Sequence, residues 1–236
     1  MLYIANMASK IHGVKKLLKP IYYSYKNRIY KNRNELFKSN ALTVLKAFDE
    51  LMAQYNIPYS VFAGTMLGAI REKGFIKHDL DLDVTVFYSD RPLNMTDIMR
   101  SAGFKLIKYF TVDGGKHGLE ETYEMDGVTL DIFYVHYDEN GCTYQCDFHS
   151  EGLTSWEHAM IKYGHIGARK LAMPVSRELI RVPFEDISVN VMSNYDEWLR
   201  CRYGNDYMIP NPDFHDTGMN AYIIERWRDA VYNVFD

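Results

Sequence analysis

Two acid-bearing strand segments constrain this chain more than any other feature. Asp79-Leu80-Asp81-Leu82-Asp83 runs into the apolar stretch Val84 to Phe87, and well downstream Val128-Thr129-Leu130-Asp131-Ile132-Phe133 carries a lone aspartate in otherwise apolar surroundings. In a strand, residues two apart share a face, so Asp81 and Asp83 present both carboxylates to one point. A buried, unpaired aspartate at position 131 is costly unless it sits with groups that compensate it. A divalent cation relieves the repulsion among such carboxylates, and oxygen-only ligands in a half-open site favour Mg²⁺ or Mn²⁺ bridging to phosphate oxygens. The pattern predicts that the two strands lie together, with Asp81, Asp83 and Asp131 as catalytic and metal-binding residues. Taken alone, the acidic run also fits a solvated turn.

What lies upstream weighs against the solvated turn. Tyr59 to Phe62 reads as a short strand running into Gly64-Thr65, with Met66 to Glu72 helical beyond it. A glycine turn that opens a helix aims free backbone N–H groups at an anion, and Thr65 adds a hydroxyl, so Gly64 and Thr65 are candidate phosphate-binding residues. Further along, Leu82 to Tyr88, Phe104 to Val112, Leu119 to Met125 and Val128 to Tyr137 read as strands, with a helix near 95–102. The turn signals Asp113-Gly114-Gly115 and Asp126-Gly127 make the middle a meander of antiparallel strands. Helix-like stretches follow near 154–163, 194–203 and 219–234, the middle one introduced by Ser193 and ended by Gly204. A mixed or antiparallel sheet with helices indicates an α+β or α/β class.

At this point a resemblance becomes specific. Gly64-Thr65-Met66-Leu67-Gly68-Ala69-Ile70-Arg71, Lys73-Gly74-Phe75-Ile76 and the aspartate cluster resemble the signature of the LicD/fukutin family of phosphoryl-substituent transferases. Leu130-Asp131-Ile132-Phe133 resembles that family's third-acid strand, and Trp198-Leu199 with Tyr203 to Met208 and Pro210 its carboxy-terminal motif. Residues 57–88, 128–137 and 181–212 carry the likeness. It implies an α+β fold with a polymerase-β-like nucleotidyltransferase core, its mixed or antiparallel sheet flanked by helices, plus a helical carboxy-terminal part. It also implies transfer of phosphocholine, glycerol phosphate or ribitol phosphate from a CDP-activated donor to a sugar hydroxyl of a glycan or glycolipid acceptor, with CMP released. On that carry-over Asp81 and Asp83 bind Mg²⁺, Asp131 completes the metal site or takes the proton, Gly64 and Thr65 hold donor phosphates, and Arg71 neutralises phosphate charge, with Lys73 and Asp79 close by. The family often has an aromatic residue and a longer acid run before the metal pair, where this chain has His78 and Leu80, so Asp79 is expected as a hydrogen-bond partner instead of a ligand. Attachment of NMP with pyrophosphate release, or a catalytically dead glycan- or protein-binding scaffold, are the competing readings.

Charge divides the chain unevenly. Its 236 residues have a formal net charge of −4, and with a pI near 6.1 this argues against general nucleic-acid binding. The first 40 residues nevertheless carry nine Lys or Arg and one acid, a net +8, while the remainder holds 18 basic and 30 acidic residues, a net −12. Residues 1–40 are therefore read as a basic amphipathic segment ahead of a catalytic domain at 41–236. Its helix near 11–38 is interrupted at Pro20, and either packs on the domain by its apolar stripe or contacts anionic lipid or glycan. Leu42, Leu45, Phe48, Leu51, Met52 and Tyr55 mark the face of a following core helix. No apolar run approaches a membrane span, and Asn6, Ser9 and Lys10 interrupt any signal-peptide core, so a cytoplasmic location, peripheral on the membrane, is expected.

Three weaker signals complete the reading. Gly114-Gly115-Lys116-His117-Gly118 fits either a plain hairpin turn or a donor-binding loop in which Lys116 and His117 contact phosphate. Cys142, Cys146 and His149, with His158 and His165 beyond, have the ligand types of a zinc site but no second cysteine pair, so buried thiols and surface histidines are favoured. Trp156, Trp198 and Trp227 read as core anchors.

Overall fold

The computed structural model describes residues 14–211 and 222–235, with the side chains of residues 14–22, 25, 26 and 222–229 outside the description. Helix α1 (Val14–Gln54) is continuous through Pro20. The interruption expected there is corrected: a proline removes one hydrogen bond, and the turns on either side carry the helix through. Phe37, Ala41, Val44, Leu45, Phe48, Leu51 and Met52 recur at helical spacing and are buried, whereas over its whole length the helix is only weakly amphipathic. Residues 1–13 of the predicted basic segment lie outside the described residues.

The chain then forms β1 (Ser60–Val61), α2 (Ala63–Arg71), β2 (Asp81–Phe87), α3 (Met95–Ser101), β3 (Lys105–Val112), β4 (Gly118–Met125), β5 (Val128–Tyr137) and β6 (Thr143–His149). After these come α4 (Trp156–Tyr163), β7 (Ile166–Ala172), the hairpin β8 (Leu179–Phe184) and β9 (Ile187–Met192), α5 (Tyr195–Tyr203) and β10 (Tyr222–Val234). The β3–β4–β5 meander forms as predicted, with Asp126 (φ 52°) and Gly127 (φ 78°) supplying the positive φ pair of a tight hairpin. Helix α5 is capped at Asn194 and not at Ser193.

The expected polymerase-β-like core, with a mixed or antiparallel sheet flanked by helices, is not what forms. Strands β5, β4, β3, β10, β7 and β6 pair antiparallel in that order, and β6 returns to β5, closing a six-stranded barrel. Strand β2 adds in parallel along Thr129 to Val135 of β5, and β1 pairs β2 antiparallel. One edge of β5 is thus shared: β2 occupies it up to Val135, and only His136 and Tyr137 remain to seal the barrel against β6. The predicted helix at 219–234 is overturned as well, since residues 222–234 are strand β10, and residues 219–221 lie outside the described residues. Against β7, β10 has register irregularities between Ile223 and Arg226 and between Trp227 and Ala230. Bulges at that interval break the two-residue alternation, so the apolar residues recur near every third or fourth position and imitate a helix.

Two apolar clusters lie on opposite faces of the sheet. The larger joins α1, α2, α3 and α5 to Leu82, Val84, Leu130, Ile132 and Tyr134, and the smaller joins Phe110, Phe148, Ile166, Ala168 and Ala230 to α4. Strand alternation then turns Asp81, Asp83 and Asp131 away from the larger cluster. Trp198 and Trp156 anchor the two clusters respectively, while the Trp227 side chain lies outside the description.

Gly68 shows why α2 needs its second glycine. A Cβ there would stand 2.5 Å from the Gly74 carbonyl oxygen and 3.4 Å from Ile76. Gly68→Ala is expected to cost about 1–3 kcal/mol by overpacking against backbone. At Gly64 the nearest atoms would be 3.5 Å away, so Gly64→Ala should stay within about 1 kcal/mol of the parent. Urea unfolding of both variants checks this, and equal losses would refute it.

Candidate active site

Parallel pairing sets Asp83 directly beside Asp131 and Asp81 beside Thr129. Because neighbours in register point to one side, the three predicted carboxylates share a face. Thr122 of β4 is the next partner of Asp131, and its hydroxyl donates to Asp131 Oδ1. Across the following pairings the same face carries Glu120 and Lys108.

The Gly64-Thr65 turn is built around Asp83. Ala63 holds a left-handed φ of 39°, a strained conformation for a residue with a side chain. The Gly64 N–H donates to Asp83 Oδ2 (3.2 Å), the Asp83 N–H donates to Thr65 Oγ1 (2.9 Å), and the Phe62 N–H donates to the Asp83 carbonyl (2.8 Å). Thr65 is 1% exposed. Both predicted phosphate contacts are therefore turned toward positioning Asp83.

Gly64 also faces a solvent-open cleft of about 1000 Å³, lined by Arg71, Lys77, His78, Asp79, Tyr203 and Asn211 among others. The carboxy-terminal motif thus meets the Gly64 helix across this cleft. Arg71 donates to Glu72 Oε1 (2.8 Å) and to the Tyr207 carbonyl (3.2 Å). A Cβ on Gly64 would lie 3.5 Å from Asp79 Oδ1 and 3.6 Å from Asp83 Oδ2, so Asp79 lines the cleft and Asp83 stands just behind Gly64. Lys73 is not brought in: it adopts φ 57° and its carbonyl accepts from the Glu185 N–H (2.7 Å) in the β8–β9 turn. Nor are Lys116 and His117, which precede β4. Thr122 is the β4 partner of Asp131, and His117 and Lys116 lie five and six residues before it, roughly 17–20 Å along an extended chain.

Crowding raises the proton affinity of every carboxylate here. Burial pushes Asp79 up to about 6, with Asp81 adding repulsion, while the Ile76 backbone and Arg71 oppose the shift. Asp83 is held well above the usual range by burial and by Asp81, Asp131 and Asp79. Asp81 and Asp131 are raised by burial and relieved by the positive charges of Arg33 and Lys108. Burial pushes Glu120 up to about 8, helped by Asp131 and opposed by Lys108. Asp79 Oδ2 is buried without a hydrogen-bond partner. Among the described residues no three Asp, Glu, His or Cys side chains stand ready-made around one point.

These shifts give a pH dependence of definite sign. Carboxylates that bind protons more tightly folded than unfolded (about 4) make stability fall as pH rises. For Glu120 that fall runs from about 4.5 to about 8. The melting temperature without added metal is expected to drop between pH 5 and pH 8.5, and Glu120→Gln to flatten the alkaline half. An unchanged slope in that variant would refute the assignment.

Sequence reasoning missed Arg33, Lys108, Glu120 and Thr122. Asp131 stood out against an apolar strand, whereas Glu120-Glu121-Thr122 offers no such contrast. Arg33 reaches the site from α1, where Nη2 donates to the Leu80 carbonyl at 3.4 Å. The zinc reading finds no geometry: Cys142 is exposed and Cys146 buried, Cys146 Sγ donates to the His117 carbonyl (3.3 Å), and His149 lies 3.8 Å from Glu151. His158 Nδ1 and Thr154 Oγ1 are 3.2 Å apart, and His165 stacks on Tyr163.

The LicD/FKTN/FKRP family, described as a nucleotidyltransferase domain, matches residues 56–194, more than half of the chain. The chain belongs to this family. The matched segment of the LicD/FKTN/FKRP domain contains Gly64, Asp81, Asp83, Glu120 and Asp131. An uncharacterized protein of Rickettsia prowazekii is 34% identical over 102 residues, 43% of this chain and 35% of its own. The lipopolysaccharide cholinephosphotransferase LicD of Haemophilus influenzae is 51% identical over 43 residues, 18% of this chain and 16% of its own. Human ribitol-5-phosphate transferase FKTN is 22% identical over 179 residues, 74% of this chain and 34% of its own. The LicD/FKTN/FKRP family thus includes transferases of substituted phosphate groups, and the match to these relatives spans 35% or less of their length.

Proposed function

We propose that the chain is a transferase that moves a substituted phosphate group, such as phosphocholine, glycerol phosphate or ribitol phosphate, from a CDP-activated donor to a sugar hydroxyl of a glycan, releasing CMP. The observation that carries this reading is the register of Asp83 beside Asp131 at the end of an open cleft lined by Arg71, Lys77 and His78. The two named relatives support the reaction class, since one is a cholinephosphotransferase and the other a ribitol-5-phosphate transferase.

The donor chemistry of these residues suits a hard divalent cation, and their side chains would have to converge further to hold one. Their donor atoms are all oxygen, the carboxylates share a face and raise one another's proton affinity, and Asp79 Oδ2 is an orphan. Asp81, Asp83 and Asp131 would hold Mg²⁺ or Mn²⁺, which when bound would neutralise charge on the transferring phosphate. Around it, Gly64 and Thr65 hold Asp83 in place, Thr122 orients Asp131, and along the cleft Arg71 and Lys77 offer positive groups and His78 a hydrogen-bonding ring to the anionic donor. Phosphoryl transfer in such a site is mostly positioning and charge neutralisation.

The test is a thermal-shift titration with CDP, UDP, ADP and GDP, each with and without Mg²⁺, followed by product analysis with CDP-choline, CDP-glycerol and CDP-ribitol. A Mg²⁺-dependent shift with CDP and release of CMP are expected. Pyrophosphate from a nucleoside triphosphate would instead indicate NMP transfer, and no response to any nucleotide would indicate a scaffold.

A further inference from the structure

We propose that the exposed stretch of α1 docks on an anionic lipid surface. The charge asymmetry of the chain falls on this element: a net +8 in residues 1–40 against −12 in the rest. From Val14 to Leu36 the helix is 23 residues, roughly 35 Å, long. Its described side chains from Tyr23 onward are exposed until Phe37, apart from half-buried Asn34. Arg28 is exposed, as is Lys31, whose Nζ lies 3.9 Å from Glu35 Oε1, and Ile29 and Tyr30 of the same stretch are 41% and 48% exposed.

Three partners compete for such a helix, and the observations favour lipid. A second copy meeting helix to helix would bring two strongly positive elements together, which repel. A soluble polyanion would use the lysines and arginines and leave Ile29 and Tyr30 in water. An anionic bilayer takes both, since its headgroups attract basic residues while tyrosines settle at the interface. Because basic residues dominate the amino-terminal 40 residues, the attraction is largely electrostatic and must be sensitive to salt.

The helix is also rooted at the site. Arg33 contacts Leu80 beside Asp81, its charge acts on Asp81 and Asp131, and seven residues on Asn40 Nδ2 donates to the Asp126 carbonyl (2.8 Å) in the β4–β5 turn. Adsorption along α1 therefore holds the carboxylate face near the membrane. On the transferase reading, this favours an acceptor carried on lipid. The docking itself does not depend on that reading.

The experiment pellets the full chain with phosphatidylcholine vesicles, with and without about 30% phosphatidylglycerol, at about 50 and 300 mM NaCl. The expected result is at least about tenfold more binding to the anionic vesicles at low salt, most of it lost at high salt. Arg28→Glu with Lys31→Glu should reduce it at least about fivefold, whereas Lys162→Glu, an exposed lysine on α4, which packs on the opposite face of the sheet from α1, should not. Melting temperatures of both variants report that they fold. No preference for anionic vesicles, or equal loss in the Lys162 variant, overturns the proposal. So does a concentration-dependent dimer abolished by the α1 charge reversals, or displacement from vesicles by sub-stoichiometric RNA or polyphosphate. Because no donor is used, these results stand apart from the outcome of CMP release.

Discussion

Asp83→Asn is expected to lower turnover by about two orders of magnitude or more while raising the melting temperature at pH 8. The two effects share one cause. Asp83 is buried against Asp81, Asp131 and Asp79, each of which resists its ionisation. An amide removes that repulsion, and its oxygen can still accept from the Gly64 N–H that now reaches Asp83 Oδ2 at 3.2 Å. The backbone bonds to Thr65 and Phe62 do not involve the changed atoms. The fold therefore keeps its local support and loses a destabilising charge, while the site loses the carboxylate at its centre. Stability and function oppose one another here. CMP release and thermal melts on the same preparation check this, and a variant retaining more than about a tenth of parental turnover would exclude Asp83 from the proposed metal site.

Arg91→Met is expected to cost about 3–5 kcal/mol. Arg91 Nη2 lies 2.6 Å from Glu121 Oε1, with side-chain exposures of 17% and 4%. The Glu121 carboxylate also accepts from the hydroxyls of Tyr134 (2.6 Å) and Tyr123 (3.2 Å). Methionine conserves much of the volume but leaves Glu121 buried with two phenols and no countercharge. Adding Glu121→Gln to Arg91→Met should recover a large part of the loss, because the penalty is for an unpaired charge and not for missing packing. If the double variant is as unstable as the single one in urea unfolding, the ion pair is not the cause. Glu120 and Glu121 are adjacent on β4, so strand alternation sends one toward the aspartates and the other into the apolar core.

That pair shows what kind of information was legible. Asp83 and Asp131 were recognisable because a carboxylate in an apolar strand demands compensation, and the demand does not depend on how strands are ordered. The meander was legible because Asp126-Gly127 and Asp113-Gly114-Gly115 fix hairpins locally. Glu120 escaped notice because two consecutive acids give no clue to which one faces the site. Arg33 and Lys108 escaped because each reaches the aspartates through pairing or docking of elements far apart in sequence, and exposed basic residues are common.

The sequence by itself determined the carboxylates, the glycine turn that positions one of them and the uneven distribution of charge, because those rest on side-chain chemistry and on spacing within one element. Only the tertiary structure decided that the sheet closes into a barrel. Residues 222–234 have edges that pair with β3 on one side and β7 on the other, and those long-range hydrogen bonds override a local pattern that bulges had made helix-like. The same closure brings β2, β5, β4 and β3 into register, and register alone decides which acids and bases share a face.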